Sequence, residues 1–446
     1  MTLALLLSGE CIDLAVAEAA MLAGSISDKL RIRLLGSRTL LLDGDCGGCR
    51  CSALNASASR GLAARLIARL AFTRAAYFTV FTLNSRSGTS ENAVKRAFSR
   101  AFSRVNWPAL CKGSFCVRVK HISKSGCPLV GVTQYPTKQN RGLGKSSLEK
   151  ELADIVWRAL PRPKVDLEQP DTEIVVIIDD NKTVCGIKLA ENTEDFESRS
   201  PVLRPGFQPD SLHPKLARAM VNLSGIHGRA TLLDPFCGSG GILIEAGLMG
   251  FPVRGYDVSP GAVKKCLLNM KHFGIKNYKI SCADACNLRG SYSYIVTDLP
   301  YGRNSKAIVD GKTASLDNLY SRFLKQLGRV LKKRAVTGVC EASAFALSLP
   351  AALSPPNKSK ARPWPPPPLS IRQGETQNSR HSPQGSGLKT GGWLALAAPT
   401  IASNSCQSSV STFRKLINQA GLTLKDGFSY YVHRSMTKCI IVVDKR

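Results

Sequence analysis

Acidic residues are scarce in this chain: 32 Asp and Glu stand against 61 Lys and Arg, which gives 446 residues a formal charge of +29 at pH 7. The shortage is sharpest between Cys46 and Leu148, where seventeen Lys or Arg accompany one acid, Glu91. An imbalance so concentrated favours a polyanionic partner, nucleic acid first, over a merely solvated basic surface. Long apolar runs are also missing. None approaches the roughly 20 residues needed to cross a bilayer, and Trp393 to Ala398 is far too short, so no membrane partner is expected. Met1 to Leu7 has no charged leader and its apolar run stops at Ser8; with fifteen scattered cysteines, an odd number, this leads us to expect a reducing, cytoplasmic setting. Cys46, Cys49 and Cys51 lack the second Cys pair or His that a zinc site requires nearby, and no metal is expected.

A chain of this length, 43% hydrophobic, accommodates two or three domains. Residues 1–105 read as an N-terminal basic α/β region, with an apolar opening strand, a helix over Cys11 to Leu22 and another over Ser59 to Arg74. Arg65 and Arg69 stand four apart on one face of the latter, as phosphate contacts or as a solvated surface. Residues 106–190 are better patterned. Phe115 to Ile122 alternates apolar and basic residues, as a half-buried strand with a cationic outer face does, and makes Arg118 and Lys120 candidate RNA contacts. A helix follows, capped at Ser147, with acids at Glu149 and Glu151 and an apolar stripe of Leu148, Leu152, Ile155, Val156 and Ala159. Glu173 to Ile178 and Thr183 to Leu189 then form a hairpin. Prolines in 191–225 indicate an extended connector before a helix at Pro214 to Leu223, which serves as a linker or as a cover for a cofactor.

The remainder, 226–446, carries the chemistry. Thr231 to Asp234 is a buried strand, and Pro235-Phe236-Cys237-Gly238-Ser239-Gly240-Gly241 a glycine-rich turn into a helix. Val253 to Tyr256 is a second strand ending at Asp257, 23 residues after Asp234, where an acid suits two ribose hydroxyls. Ser259 caps the next helix, with Val263, Leu267, Met270 and Phe273 on its core face. A dinucleotide dehydrogenase shares these features, but the turn lacks G-x-G-x-x-G spacing. A third strand, Tyr278 to Cys282, leads to Ala283-Asp284-Ala285, where a carboxylate can take an adenine amine. A fourth, Tyr294 to Val296, leads to Asp298-Leu299-Pro300-Tyr301-Gly302. Asp298 and the Leu299 carbonyl can each accept one N–H of an exocyclic amine while Tyr301 stacks on the base. The plain alternative for this stretch alone is a strand ending in a turn. Leu316 to Leu331 reads as an amphipathic helix and Arg334 to Val339 as a fifth strand. Residues 341–410, rich in Pro, Ser, Gly and Ala, are expected to be a disordered insertion, with an RNA-contacting insertion as the lesser alternative. Thr412 to Ala420 reads as a helix, and Phe428 to His433 with Lys438 to Val443 as a closing antiparallel hairpin.

The F-x-V-R-V-K strand, the S-L-E-K-E-L helix, the K-V-D-L-E-Q-P-D-T-E run and the C-G-I-K-L-A strand resemble a THUMP domain, an RNA-binding module of tRNA-modifying enzymes. The order D-P-F-C-G-S-G-G, Y-D, A-D-A, D-L-P-Y-G resembles a class I methyltransferase, specifically the archaeal-type tRNA (guanine(10)-N2)-methyltransferase family. The resemblance covers Phe115 to Leu331 and resumes near Phe413. It implies an α/β fold, a class I (Rossmann-like) methyltransferase sheet with a closing antiparallel hairpin, preceded by an α+β THUMP-containing RNA-binding region. It implies S-adenosylmethionine as cofactor and tRNA as partner. It further implies that Asp234, Gly238 and Gly240 hold the methionine part, Asp257 the ribose and Asp284 the adenine, with Phe236 and Ala285 also at the cofactor, and that Asp298, Leu299, Pro300 and Tyr301 take the target guanine. The expected activity is transfer of one or two methyl groups to the N2 amine, at guanosine 10 of tRNA. Leu299 departs from the proline common in amine methyltransferases; it still supplies the carbonyl, on a less rigid loop. A THUMP methyltransferase acting on another tRNA or ribosomal guanosine, one acting on adenine or cytosine amines, and a non-catalytic RNA-binding protein are the rivals. A small protein partner is compatible with the sequence but leaves no readable signature in it.

Overall fold

The structure, a computed structural model, describes residues 2–27, 30–44, 54–84, 91–122, 144–179, 182–209, 211–300, 308–332, 393–399, 406–433 and 436–445. They form two compact units, Met1–Arg204 with Leu212–His227, and Pro205–Ser211 with Gly228–Arg446. Among the described residues no helix is long and apolar enough to cross a membrane. Cys46, Cys49 and Cys51 lie outside the described residues.

The first unit opens with β1 (Thr2–Leu7), α1 (Ile12–Ile26), β2 (Leu30–Leu34), β3 (Thr39–Gly44), α2 (Leu54–Ile67) and β4 (Thr73–Asn84). The five leucine and alanine side chains of β1 are buried, which suits a strand with neighbours on both sides, and it pairs antiparallel with β3 and β4. This is a βαββαβ, ferredoxin-like unit. The chain continues through α3 (Glu91–Ser103), α4 (Trp107–Leu110), β5 (Phe115–Ile122), α5 (Gly144–Ala159), β6 (Thr172–Asp179) and β7 (Lys182–Glu191). Because β7 pairs with β4, one seven-stranded sheet, β2-β3-β1-β4-β7-β6-β5, runs across the boundary expected near residue 105. Leu148, Leu152 and Val156 of α5 are buried with Phe98, Phe102, Trp107 and Phe115, as the stripe requires. At the end of β6 the buried Asp179 accepts from the backbone N–H groups of Ser37 and Arg38, both at 2.8 Å, and from the Thr39 hydroxyl at 2.9 Å. One acid thereby holds the β2–β3 turn.

One helix boundary is corrected in this unit, and one helix is assigned to it. The helix α6 (Pro214–Leu223), read as linker or cofactor cover, belongs here: Asn222 Nδ2 donates to Glu18 Oε1 of α1 at 2.7 Å. The helix expected over Ser59 to Arg74 ends at Ile67, since Thr73 starts β4. Arg65 is exposed on it, but Arg69 lies beyond it and donates from Nη2 to Asn222 Oδ1 at 3.0 Å and to the Ile226 carbonyl at 3.1 Å. Burial lowers the pKa of Arg69 to about 10. This half-buried arginine braces α6 and the segment after it.

The second unit contains β8 (Leu232–Asp234), α7 (Gly241–Leu248), β9 (Val253–Asp257), α8 (Pro260–His272), β10 (Tyr278–Cys282), β11 (Tyr294–Asp298), β12 (Ile308–Val309), β13 (Lys312–Thr313), α9 (Leu316–Val330), β14 (Trp393–Pro399), α10 (Cys406–Gln419), β15 (Thr423–His433) and β16 (Met436–Asp444). Its main sheet has the order β10-β9-β8-β11-β14-β16-β15, parallel except for β16, which pairs antiparallel with both neighbours. The closing hairpin is therefore present, longer than the sequence indicated. The stretch expected as a fifth strand, Arg334 to Val339, lies outside the described residues. Beside β11 stands β14, with Tyr294 opposite Trp393 and Asp298 opposite Ala397. β14 is internal to the sheet, parallel to β11 and antiparallel to β16, a place that an unbroken apolar run such as Trp393 to Ala398 suits. This run and the start of α10 fall within 341–410, where disorder was expected; the remainder of that stretch lies outside the described residues. Leu233, Ile295, Leu299, Phe323, Leu324, Leu327, Phe413, Ile417 and Ile441 make the core between this sheet and α9 and α10.

Candidate active site

Four parallel strands of the second unit bring acids to one rim, at the switch point where the chain leaves β8 in one direction and returns through β11 on its other side. Asp234 ends β8 and is only 2% exposed. Its Oδ1 accepts from the Thr297 hydroxyl at 2.6 Å and from the Phe236 N–H at 3.1 Å. Burial pushes its pKa up to about 7, with the charges of Asp298 and Asp257 acting in the same direction against those two hydrogen bonds. Asp257 ends β9. Its Oδ2 accepts from the Gly238 N–H and its Oδ1 from the Ser259 N–H, each at 2.9 Å, and burial raises its pKa. This acid fastens the glycine turn to β9. A carboxylate has about four acceptor sites and the backbone takes two here, so hydroxyl acceptance is still open to it.

The two predicted glycines have different duties. Gly238 (φ 51°) would place a Cβ 3.4 Å from the side-chain amide of Gln208, so the bare backbone leaves a cradle there. Gly240 (φ 90°) would place one 2.7 Å from Cys266 Sγ and 3.0 Å from Met270 Cε; it lets α8 close on the turn. The core face of α8 is Cys266, Asn269 and Met270, whereas Leu267, expected on it, is exposed and Phe273 is half-buried. Asn269 explains the shift. Its amide donates to the carbonyls of Ser239 at 2.8 Å and Gly206 at 3.1 Å and accepts from the Gly206 N–H at 2.8 Å. Ser211 adds a hydroxyl contact of 2.7 Å to Ser239. The segment 205–211 is thus laid over the glycine turn, and Gln208, Ser211 and Asn269 were missed because nothing local marks them. A buried asparagine in an apolar helix face was the one available signal.

Asp284 follows β10 and caps a short 3-10 turn, Ala285–Asn287: its Oδ1 accepts from the Cys286 N–H at 2.8 Å and its Oδ2 from the Asp310 N–H at 3.0 Å. Ala285 is buried in the core, and the Phe236 ring meets Phe323 edge-on at 4.8 Å. Asp298 ends β11, half-buried. Leu299 is wholly buried, and the Pro300 carbonyl accepts from the Tyr320 hydroxyl of α9 at 2.5 Å. Rigidity that a proline would have supplied at 299 comes instead from a core anchor and from Tyr320, whose pKa burial raises. Tyr301 lies outside the described residues. Together, glycines that bare a cradle and carboxylates at the ends of parallel strands suit a ligand with ammonium, hydroxyl and amine donors, as S-adenosylmethionine has.

In the first unit, Arg118 donates from Nη2 to the Leu167 carbonyl at 2.6 Å and pairs through Nε with Glu173 at 3.4 Å. Lys120 contacts the Tyr77 hydroxyl at 3.3 Å, and Glu173 also holds Lys188 at 2.9 Å. The cationic face of β5 is therefore matched by acid from β6. Elsewhere in the unit Lys95, Arg96, Ser99 and Arg100 of α3 line, with Glu151 of α5, a cavity of about 500 Å³.

Strand order, glycine turn and acid rim define a class I methyltransferase half. Residues 201–352 match the family described as RMKL-like, methyltransferase domain, and residues 93–188 match the THUMP domain. The chain is 34% identical over 227 residues to the tRNA (guanine(10)-N2)-dimethyltransferase of Methanothermobacter thermautotrophicus, covering 50% of this chain and 61% of that relative. It is 36% identical over 129 residues to the "Probable tRNA (guanine(10)-N2)-dimethyltransferase" of Methanothermococcus thermolithotrophicus, covering 27% of this chain and 74% of that relative. A tRNA (guanine(6)-N(2))-methyltransferase THUMP3 of Bos taurus is 30% identical over 207 residues, 42% of this chain and 39% of the relative. The chain belongs to the tRNA (guanine(10)-N2)-dimethyltransferase family of THUMP methyltransferases, whose cofactor is S-adenosylmethionine.

Proposed function

We propose that this protein methylates the exocyclic N2 amine of a guanosine in tRNA, guanosine 10 being the target its curated relatives name. The observation that carries the reading is the pairing of Asp298 with a braced Leu299-Pro300 backbone at the switch point, next to the buried Asp234. S-adenosylmethionine supplies an electrophilic methyl group on a sulfonium. Asp298 accepts one N–H of the amine and the Leu299 carbonyl the other, which draws the nitrogen toward pyramidal geometry and frees its lone pair for the methyl carbon. As the N–C bond forms, positive charge grows on nitrogen and Asp298 stabilises it; the amine proton is lost once the nitrogen is alkylated, so no strong base is required. A second N–H remains for a second methyl transfer. In the first unit, Arg96 and Arg100 of α3 are exposed and better placed than Arg118 and Lys120 to meet phosphate, since the latter two are engaged with Glu173 and Tyr77. A cytoplasmic setting accords with this reading, the cysteines whose side chains are described being free thiols.

The relationship to a guanosine-6 enzyme favours one rival position in tRNA. Incubating the purified protein with unmodified tRNA and S-adenosylmethionine, digesting to nucleosides and fragments, and locating the product by mass spectrometry decides between them. N2-methylguanosine at position 10 is expected; N6-methyladenosine, N4-methylcytidine or no product would overturn the assignment.

A further inference from the structure

The hairpin β12–β13 follows the amine-site segment by only a few residues and turns at Asp310-Gly311, both at positive φ (50° and 76°). An Asp-Gly pair in this conformation is the favoured two-residue hairpin turn. Here the turn is tied at three points. The Asp310 N–H donates to Asp284 Oδ2 at 3.0 Å, its carboxylate Oδ2 accepts from Arg322 Nη1 at 2.6 Å, and its Oδ1 accepts from Asn287 Nδ2 at 3.1 Å. Arg322 and Asn287 together hold the Asp310 carboxyl below the usual carboxylate range. Val309 is buried in the core, so the hairpin has a hydrophobic foot as well.

Both partners of Asp310 belong to elements that serve the site. Asn287 closes the 3-10 turn that Asp284 caps, and Gln326 of α9 donates to the Leu288 carbonyl just beyond it. Arg322 lies two residues from Tyr320, which holds the Pro300 carbonyl. One helix therefore braces the amine-site backbone and, through Asp310, the carboxylate that the cofactor reading gives to adenine.

We propose that Asp310 is a positioning residue: by presenting its N–H to Asp284, from a turn clamped by Arg322 and Asn287, it aims the Asp284 carboxylate at the six-amino group of the cofactor's adenine. A carboxylate left to rotate would accept from an amine less selectively; one whose Oδ1 and Oδ2 are each fixed by a backbone N–H presents its free acceptor sites in one direction. Asp310 touches no part of the cofactor in this scheme. The inference rests on the assignment of adenine to Asp284, and its test separates the two.

The test is calorimetric binding of S-adenosylhomocysteine and of its inosine analogue, in which a carbonyl replaces the amine, to the full chain and to Asp284→Ala, Asp310→Gly, Asp310→Asn and Arg322→Lys. Glycine and asparagine both tolerate the positive φ, so the turn survives while the clamp is removed or weakened. The native protein is expected to prefer the adenine ligand. Asp310→Gly should lose about tenfold of that preference, the size of one charge-assisted contact, with a smaller loss in Asp310→Asn and partial retention in Arg322→Lys. A purely structural role would lower the melting temperature and leave the ratio of the two affinities unchanged, and that result overturns the proposal. If Asp284→Ala also keeps the native ratio, adenine lies elsewhere and the proposal falls with its premise. If Asp284→Ala abolishes the preference and Asp310→Gly does not, the adenine assignment stands and only the role of Asp310 is lost.

Discussion

The Thr297 hydroxyl donates to Asp234 Oδ1 at 2.6 Å, so the residue immediately before Asp298 is bonded to the buried acid at the end of the neighbouring strand. This contact joins the two strands at the switch point and fixes the orientation of a carboxyl whose pKa burial has raised.

That raised pKa makes a stability prediction. A carboxyl held at about 7 in the folded protein but near 3.8 when unfolded favours the fold below pH 4, and this contribution is lost as pH rises toward 7. Asp234→Asn, which keeps an acceptor for Thr297, should match the native protein near pH 4 and exceed it at pH 8 by on the order of 4 kcal/mol at most, the shift of about three units at 1.36 kcal/mol each. Urea unfolding of the cofactor-free proteins between pH 4 and 8 measures it. Parallel stability curves would mean that Asp234 is ionised in the fold.

Asp298→Ala should retain the fold and the affinity for S-adenosylhomocysteine and lose roughly a hundredfold or more in methylation rate, the size of one preorganised polar contact at developing charge. Asp298→Asn should lose less, since its amide oxygen still accepts an N–H. Single-turnover rates set beside melting temperatures distinguish this from a carboxylate that only caps a turn, for which stability would fall and the rate per folded molecule would not.

Gly240→Ala is expected to destabilise the second unit by about 2–4 kcal/mol, because it combines a left-handed backbone with a Cβ forced against Cys266. Adding Cys266→Ala should recover part of the loss and never all of it, since shrinking the neighbour leaves φ positive. Denaturant midpoints of the three variants test this. Full recovery in the double variant would show that crowding alone makes glycine necessary.

For tRNA, reversing Arg96 and Arg100 of α3 to Glu should weaken binding and make the slope of log affinity against log salt shallower by about one to two, as each phosphate contact contributes about 0.9. Arg118→Ala should change the slope little, its guanidinium being engaged by the Leu167 carbonyl and Glu173. Filter binding across a salt series reads both, and the opposite ranking would return the RNA surface to β5.

What the sequence determined by itself is local. Asp234 before a glycine-rich turn, Asp257 before a capped helix, and Asp284 and Asp298 after apolar strands are placed by short-range rules: which residues pack as strands, which tolerate positive φ, and which cap a helix. Since parallel strands place their C-terminal ends at one edge, four such acids must share a rim, and that was legible without coordinates. Only tertiary structure decided what long-range pairing decides. Trp393–Pro399 joins β11 from far along the chain, at an internal place in the sheet that its apolar run suits. Helix α6 goes to the first unit because Asn222 completes the contacts of the buried Glu18. Arg118 and Lys120 alternate as an outward face should, yet β6 sets Glu173 in the same sheet, where it pairs with Arg118, while Lys120 meets the Tyr77 hydroxyl of β4. The clasp from Asp310 to Asp284 is of the same kind: its partners are 26 residues apart, and no periodicity or spacing brings an exposed turn to a particular carboxylate.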